Sequence, residues 1–140
     1  MTDIFRLIME QMSDALIYSD SRGIICQWNP AAEQLFGLTR PQAVGQSLDL
    51  IIPERLRAAH WAGFNRAMSS GATRLGGRAT VTKALTASGE AIYVEMSFAV
   101  VCDEAGKVVG SVAIARDATQ RHLHERAVRE QLAELRDKAG

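Results

Sequence analysis

Apolar positions along the chain change their period at one point, and that change divides it. Near the N-terminus, Ile4, Phe5, Ile8, Met9 and Met12 recur at helical spacing behind Asp3, whose short carboxylate suits an N-cap. Residues 15–18 and 24–28 read as short strands around the turn Ser19-Asp20-Ser21-Arg22-Gly23. Asn29 and Pro30 then open a helix, the first as cap and the second in the first turn, and Gly37 closes it. Thr39 and Gln42 have capping-box spacing for a further short turn closed by Gly45. A longer helix runs from Pro53 to Gly71. Past Gly71 the period becomes two. Residues 74–85 and 91–102 alternate around Thr86-Ala87-Ser88-Gly89, and Asp103-Glu104-Ala105-Gly106 turns the chain into a strand at 108–115. Asp117 or Thr119 caps a final helix, whose apolar stripe is Leu123, Ala127, Val128, Leu132 and Leu135 among many charges.

This order predicts an α+β fold: a five-stranded antiparallel sheet with short helices grouped between its second and third strands. One face of the sheet needs a cover, and the helices of residues 30–71 supply it. The space between is a natural ligand cavity.

Composition narrows the picture by exclusion. The 140 residues suffice for one domain, and 47% of them are apolar. Sixteen Lys and Arg balance sixteen Asp and Glu, so charge gives no argument for nucleic acid or an anionic membrane surface. Cys26 and Cys102 sit in apolar, strand-like runs without CxxC spacing; both read as packing residues of a reducing cytoplasm. No apolar run approaches the roughly 20 residues of a membrane span, and the start of the chain lacks a signal-peptide pattern. No Ser/His/Asp set, phosphate-binding loop or apolar pair of carboxylates is present, so the expectation is a domain that is not an enzyme. Gly76-Gly77 reads as a place of close backbone approach within a strand.

The most informative stretch lies within the longer helix. Leu56, His60, Phe64 and Met68 share one face, with Ala59, Gly63 and Ala67 beside them. A histidine amid an apolar stripe needs a partner for at least one ring nitrogen. Gly63, one turn on, removes a side chain where a flat ring needs room. Neutral imidazole, apolar walls and space are what a proximal haem ligand requires. An ordinary core histidine satisfied by its neighbours is the alternative. In the strand at 91–102, Ile92, Val94, Met96, Phe98 and Val100 share the face toward the cavity. His122 and His124 lie two apart on a helix, point different ways and make no metal site.

Several segments resemble the PAS superfamily. Residues 25–37 are similar to its strand running into "N-x-A-A-E-x-x-F-G", here Asn29, Ala31, Ala32, Glu33, Phe36 and Gly37. Val44-Gly45 with Ile51-Ile52-Pro53, Ser88-Gly89-Glu90, and Arg116-Asp117-Ala118-Thr119 resemble later family segments. The resemblance implies the PAS fold with flanking helices at both ends: an N-terminal helix over 1–12, a sensor domain over 13–117 and a linker or coiled-coil helix over 118–140. It implies sensing relayed to an output domain such as a histidine kinase, in a two-component system, or a cyclic-dinucleotide enzyme, with a homodimer formed through the flanking helices.

Within that superfamily the chain is similar to haem-binding oxygen sensors of the FixL type. Pro53, Arg57 and His60 match the spacing "P-x-x-x-R-x-x-H", whose histidine binds iron. The resemblance implies haem b held by His60, with Arg66 and Arg74 at propionate-contacting positions, Gly63 and Phe64 beside the ligand helix face, and Met96 and Phe98 on the far side. An arginine that hydrogen-bonds oxygen in those sensors falls at Thr80 here, and Arg78, two residues earlier on the same strand face, is the substitute. The sensed signal, a diatomic gas or a redox state, is therefore open. The motif "N-C-R-F-L-Q" of covalent flavin photosensors is absent. Non-covalent flavin, another small molecule or an empty pocket are the alternatives.

Overall fold

The computed structural model describes residues 3–73 and 76–139. Five strands, β1 (Ala15–Asp20), β2 (Ile25–Trp28), β3 (Thr80–Leu85), β4 (Ala91–Cys102) and β5 (Val108–Asp117), form one antiparallel sheet in the order β2-β1-β5-β4-β3. The predicted α+β architecture is what the chain adopts. The central strand, β5, is the last in sequence. It pairs Ser19↔Ser111 and Ile17↔Ala113 on one side, and Val100↔Ser111 and Met96↔Ala115 on the other. Directly opposed residues share a face, so these positions form the inner face.

Helices α2 (Pro30–Phe36), α3 (Arg40–Ala43) and α4 (Arg57–Ser70), with 3-10 turns at Leu48–Ile51 and Glu54–Leu56, cover that face. Trp28, Phe36, Ile17, Ile25 and Val94 are fully buried between sheet and cover. The Trp28 and Phe36 rings lie 5.3 Å apart, and the Trp28 indole nitrogen donates to the Leu38 carbonyl at 2.9 Å. The indole thus gains a large apolar contact without leaving its N–H unpaired.

Local signals set the helix ends. The Asn29 side chain accepts from Ala32 N, with Pro30 in the first turn and left-handed Gly37 after the last. Thr39 and Gln42 make both halves of a capping box. The longer helix departs from its predicted form: Pro53 leads into a 3-10 turn, and α-helix begins only at Arg57. The strand predicted over 74–85 starts at Thr80. Gly76 and Gly77 both have positive φ and form a turn, which a ladder cannot continue through. A Cβ on either would meet nothing within 4 Å, so close backbone approach is not their role. Cys102 is exposed at the end of β4 rather than packed; Cys26 is half-buried.

Two helices flank the sheet. α1 (Ile4–Gln11) contributes no buried residue, and Phe5 is 77% exposed. α5 (Thr119–Ala139) likewise buries none of its side chains. Its first turn is tied to β4. The Thr119 hydroxyl accepts from Tyr93 N, Ala118 N donates to the Tyr93 carbonyl, the His122 ring lies 4.1 Å from the Tyr93 ring, and Arg121 pairs with Glu95. No described helix is long and apolar enough to cross a membrane.

Candidate functional site

Successive turns of α4 walk along a two-lobed cavity above the inner sheet face. Leu56 lines a lobe of about 330 Å³, whose other walls include Ile17, Leu48, Ile51, Met96 and Ala113. Gly63, Phe64, Ala67 and Met68 line a second lobe of about 220 Å³. Ala59, His60, Phe98 and Ser111 belong to both lobes and so form the neck between them. The helical face read from the sequence is the face that lines the cavity. Met96, Phe98 and Val100 of β4 also point there, while Val94 and Ile92 lie in the adjoining core.

At the neck, His60 Nδ1 is buried and has no hydrogen-bond partner. The imidazole meets Trp61 edge-on at 4.8 Å and stacks loosely on Phe64 at 6.0 Å. Burial pushes its pKa below the usual 6.5, and the Asp49 carboxylate opposes this without reversing it. The imidazole is therefore neutral near neutral pH, the form that binds a metal.

Because the unfolded chain protonates its histidine first, stability is fully present above pH 6.5 and falls as pH drops from there toward the lowered native value. We expect thermal unfolding across pH of about 5 to 8 to show wild type losing stability on the acid side. His60→Leu should lose distinctly less over the same window. Parallel curves would mean that the buried ring does not carry this dependence.

Asp49 has a second role. It accepts from the Trp61 indole at 2.7 Å, while Arg57 donates to the Ile52 carbonyl at 3.0 Å and pairs with Asp49 at 3.8 Å. Arg57 therefore ties the Leu48–Ile51 turn to the start of α4, three residues before His60. The Trp61 ring lies directly on Gly23, where a Cβ would collide with it.

The other sequence candidates are dispersed. Thr80 lines the larger lobe from the exposed start of β3, opposite Met96. Arg78 precedes that strand rather than lying on it, and lines the smaller lobe from an exposed position. Arg66 lines a shallow outer groove with Asn65 and Ser69, not the cavity; its guanidinium passes 3.9 Å from the place of a Gly63 Cβ. Arg74 lies outside the described residues.

Sequence reasoning missed Ser111 and its neighbours on β5. Ser111 is buried at the neck, and its hydroxyl lies 3.1 Å from that of Ser19, which also donates to the Asp20 carbonyl at 3.1 Å. The signal was there: Ser111, Ala113 and Ala115 alternate in the strand. A run of small residues on one face leaves space above it.

Comparison with known proteins agrees with this architecture. The Escherichia coli oxygen sensor protein DosP is 29% identical over 131 residues, 94% of this chain and 16% of DosP. The sensor protein FixL of Bradyrhizobium diazoefficiens is 40% identical over 55 residues, 39% of this chain and 11% of FixL. The chain thus spans only a small part of the length of each. A crystal structure of a PAS domain from Colwellia psychrerythraea superposes with a TM-score of 0.73 at 23% identity, covering 84% of this chain and 99% of that one. The PAS fold family model matches residues 3–118. The chain belongs to the PAS family, as a sensory domain of signal transduction.

Proposed function

We propose that this domain binds haem b through His60 and senses a diatomic gas or a redox state. One observation carries the reading: a neutral imidazole, with a buried unpartnered nitrogen, stands at the neck of a cavity with mainly apolar walls. Buried polar atoms are paired in folded proteins unless something else engages them. Among the described residues no three His, Cys, Asp or Glu gather to hold a metal. A lone imidazole suits an iron whose other ligands come with the cofactor.

The remaining residues fit a flat apolar group. Ala59, Gly63 and Ala67 keep the helix side shallow, and Phe98 and Met96 give an apolar opposite wall. Each lobe is modest, and together they fall in the range of about 300–1,000 Å³ typical of ligand pockets. Arg78 at the mouth of the smaller lobe is positioned for a carboxylate of the ligand. Bound haem supplies an iron that takes a diatomic ligand or changes oxidation state. DosP is an oxygen sensor by name, which supports this assignment.

Relay to an output domain outside this chain, such as a histidine kinase or cyclic-dinucleotide enzyme, runs through α5. The exposed apolar residues Ile4, Phe5 and Ile8 of α1, and Leu123, Leu132 and Leu135 of α5, support a homodimer through the flanking helices.

Absorbance titration of the purified protein with haem tests the cofactor. A Soret band that saturates at one haem per chain, and is lost or shifted in His60→Ala, is the expected result. Failure to take up haem, or a His60→Ala spectrum identical to wild type, overturns the reading. A yellow protein with flavin absorption selects the flavin alternative.

A further inference from the structure

We infer that Ser111, proton-linked to Ser19, is the hydrogen-bonding group that meets a ligand on the sheet side of the cavity. This deepens the proposed haem reading and rests on it. A group held by His60 from α4 has the sheet as its opposite wall. On that wall Met96, Phe98 and Ala113 are apolar, Thr80 stands at the exposed rim, and Thr82 and Lys83 of β3 are half-buried. Ser111 is the buried polar side chain there, on the central strand, and it lines both lobes as His60 does.

The pair of hydroxyls gives Ser111 a choice. Ser19 has one proton, and the Asp20 carbonyl at 3.1 Å takes it. Ser111 then donates to Ser19 Oγ at 3.1 Å and turns its lone pairs to the cavity. When an acceptor arrives, the Ser111 O–H swings from Ser19 to it, and Ser19 keeps its own bond to Asp20. Neither hydroxyl is left as a buried unpaired donor in either state. Binding therefore avoids the desolvation penalty that a lone buried serine would carry.

Carbon monoxide on the ferrous haem-loaded protein is the probe, read by its infrared C–O stretch. A donor aimed at the oxygen lowers that frequency. Ser111→Ala should raise it, and Ser19→Ala should lower it, because Ser111 loses its competing acceptor. Ser111→Thr should stay near wild type, and Thr80→Ala should not move it. Ser111→Ala leaves Ser19 bonded to Asp20, and Ser111→Thr provides a hydroxyl-bearing control should the alanine variant fold poorly. A His60-dependent haem spectrum with the C–O stretch unchanged in Ser111→Ala overturns the Ser111 assignment alone. Absence of haem uptake overturns the reading of the cavity, and this inference with it.

Discussion

Asn29→Ala should destabilise the domain by about 3 kcal/mol or more, lowering Tm by on the order of 10 °C. Asn29 is fully buried, and its amide is saturated. Its oxygen accepts from Leu16 N at 2.9 Å and Ala32 N at 3.0 Å. Its nitrogen donates to the Met9 carbonyl at 2.9 Å and the Asp14 carbonyl at 3.1 Å. One side chain thus fastens the end of α1, the approach to β1, β1 itself and the start of α2. Alanine leaves two backbone N–H groups and two carbonyls without partners, and removes a helix cap worth about 1 kcal/mol. Asn29→Asp is the sharper test. It keeps the shape and the acceptor but sets a second carboxylate oxygen against two carbonyls. Burial and repulsion favour the neutral acid there, so Asp should be partly rescued by acidification where Ala is not. Thermal unfolding of both variants at two pH values checks this. An alanine variant within about 0.5 kcal/mol of wild type, the range of ordinary surface changes, would contradict the clamp.

Gly110→Ala should destabilise by about 3 kcal/mol, the upper end for overpacking. Gly110 lies on β5, paired to Asp20 on one side and Val101 on the other. A Cβ would run into the Ser19 carbonyl oxygen, with the Tyr18 hydroxyl at 2.9 Å. A flexible side chain could swing aside, but a laddered carbonyl on the central pair cannot move without opening β1 from β5. The neighbouring Ser19–Ser111 contact moves with it, so the variant should also perturb the cavity. Chemical denaturation with matched m-values gives the comparison. An unchanged midpoint would show that β1 yields at no cost.

Much of this fold was legible because its signals are local. Caps at Asn29 and Thr39, the closing glycines 37 and 71, and the period-two run of β4 each depend on a few adjacent residues. The start of β3 was misjudged because apolar alternation in 74–85 ran through Gly76 and Gly77, whose backbone conformation overrode it. Asn29 was read as a cap and nothing more. Its bonds to Met9 and Asp14 depend on how α1 folds back, which no spacing rule encodes. The cavity divides the same way. Helical geometry alone put Leu56, His60, Phe64 and Met68 on one face, so the α4 wall was visible. The opposite wall required the register Ser19↔Ser111 between two strands 92 residues apart, and that is set by the whole sheet. Arg66 matched a family position, yet it stands on the outer side of α4, which a motif match does not reveal.

The junction of α5 with β4 has a mechanical consequence. The helix has 21 residues, so it extends about 30 Å at 1.5 Å per residue. Along that length it buries none of its own side chains, and its anchorage is concentrated in a first turn held by Tyr93 and Glu95. It is therefore a lever with a short, stiff fulcrum. A tilt of about 6° at Thr119 carries the far end through about 3 Å, comparable to two residues of helical rise. Displacements of β4 too small to disturb the core are multiplied at the tip. A local adjustment of the sheet at Tyr93 and Glu95 thus becomes a displacement of several ångströms at the far end of α5.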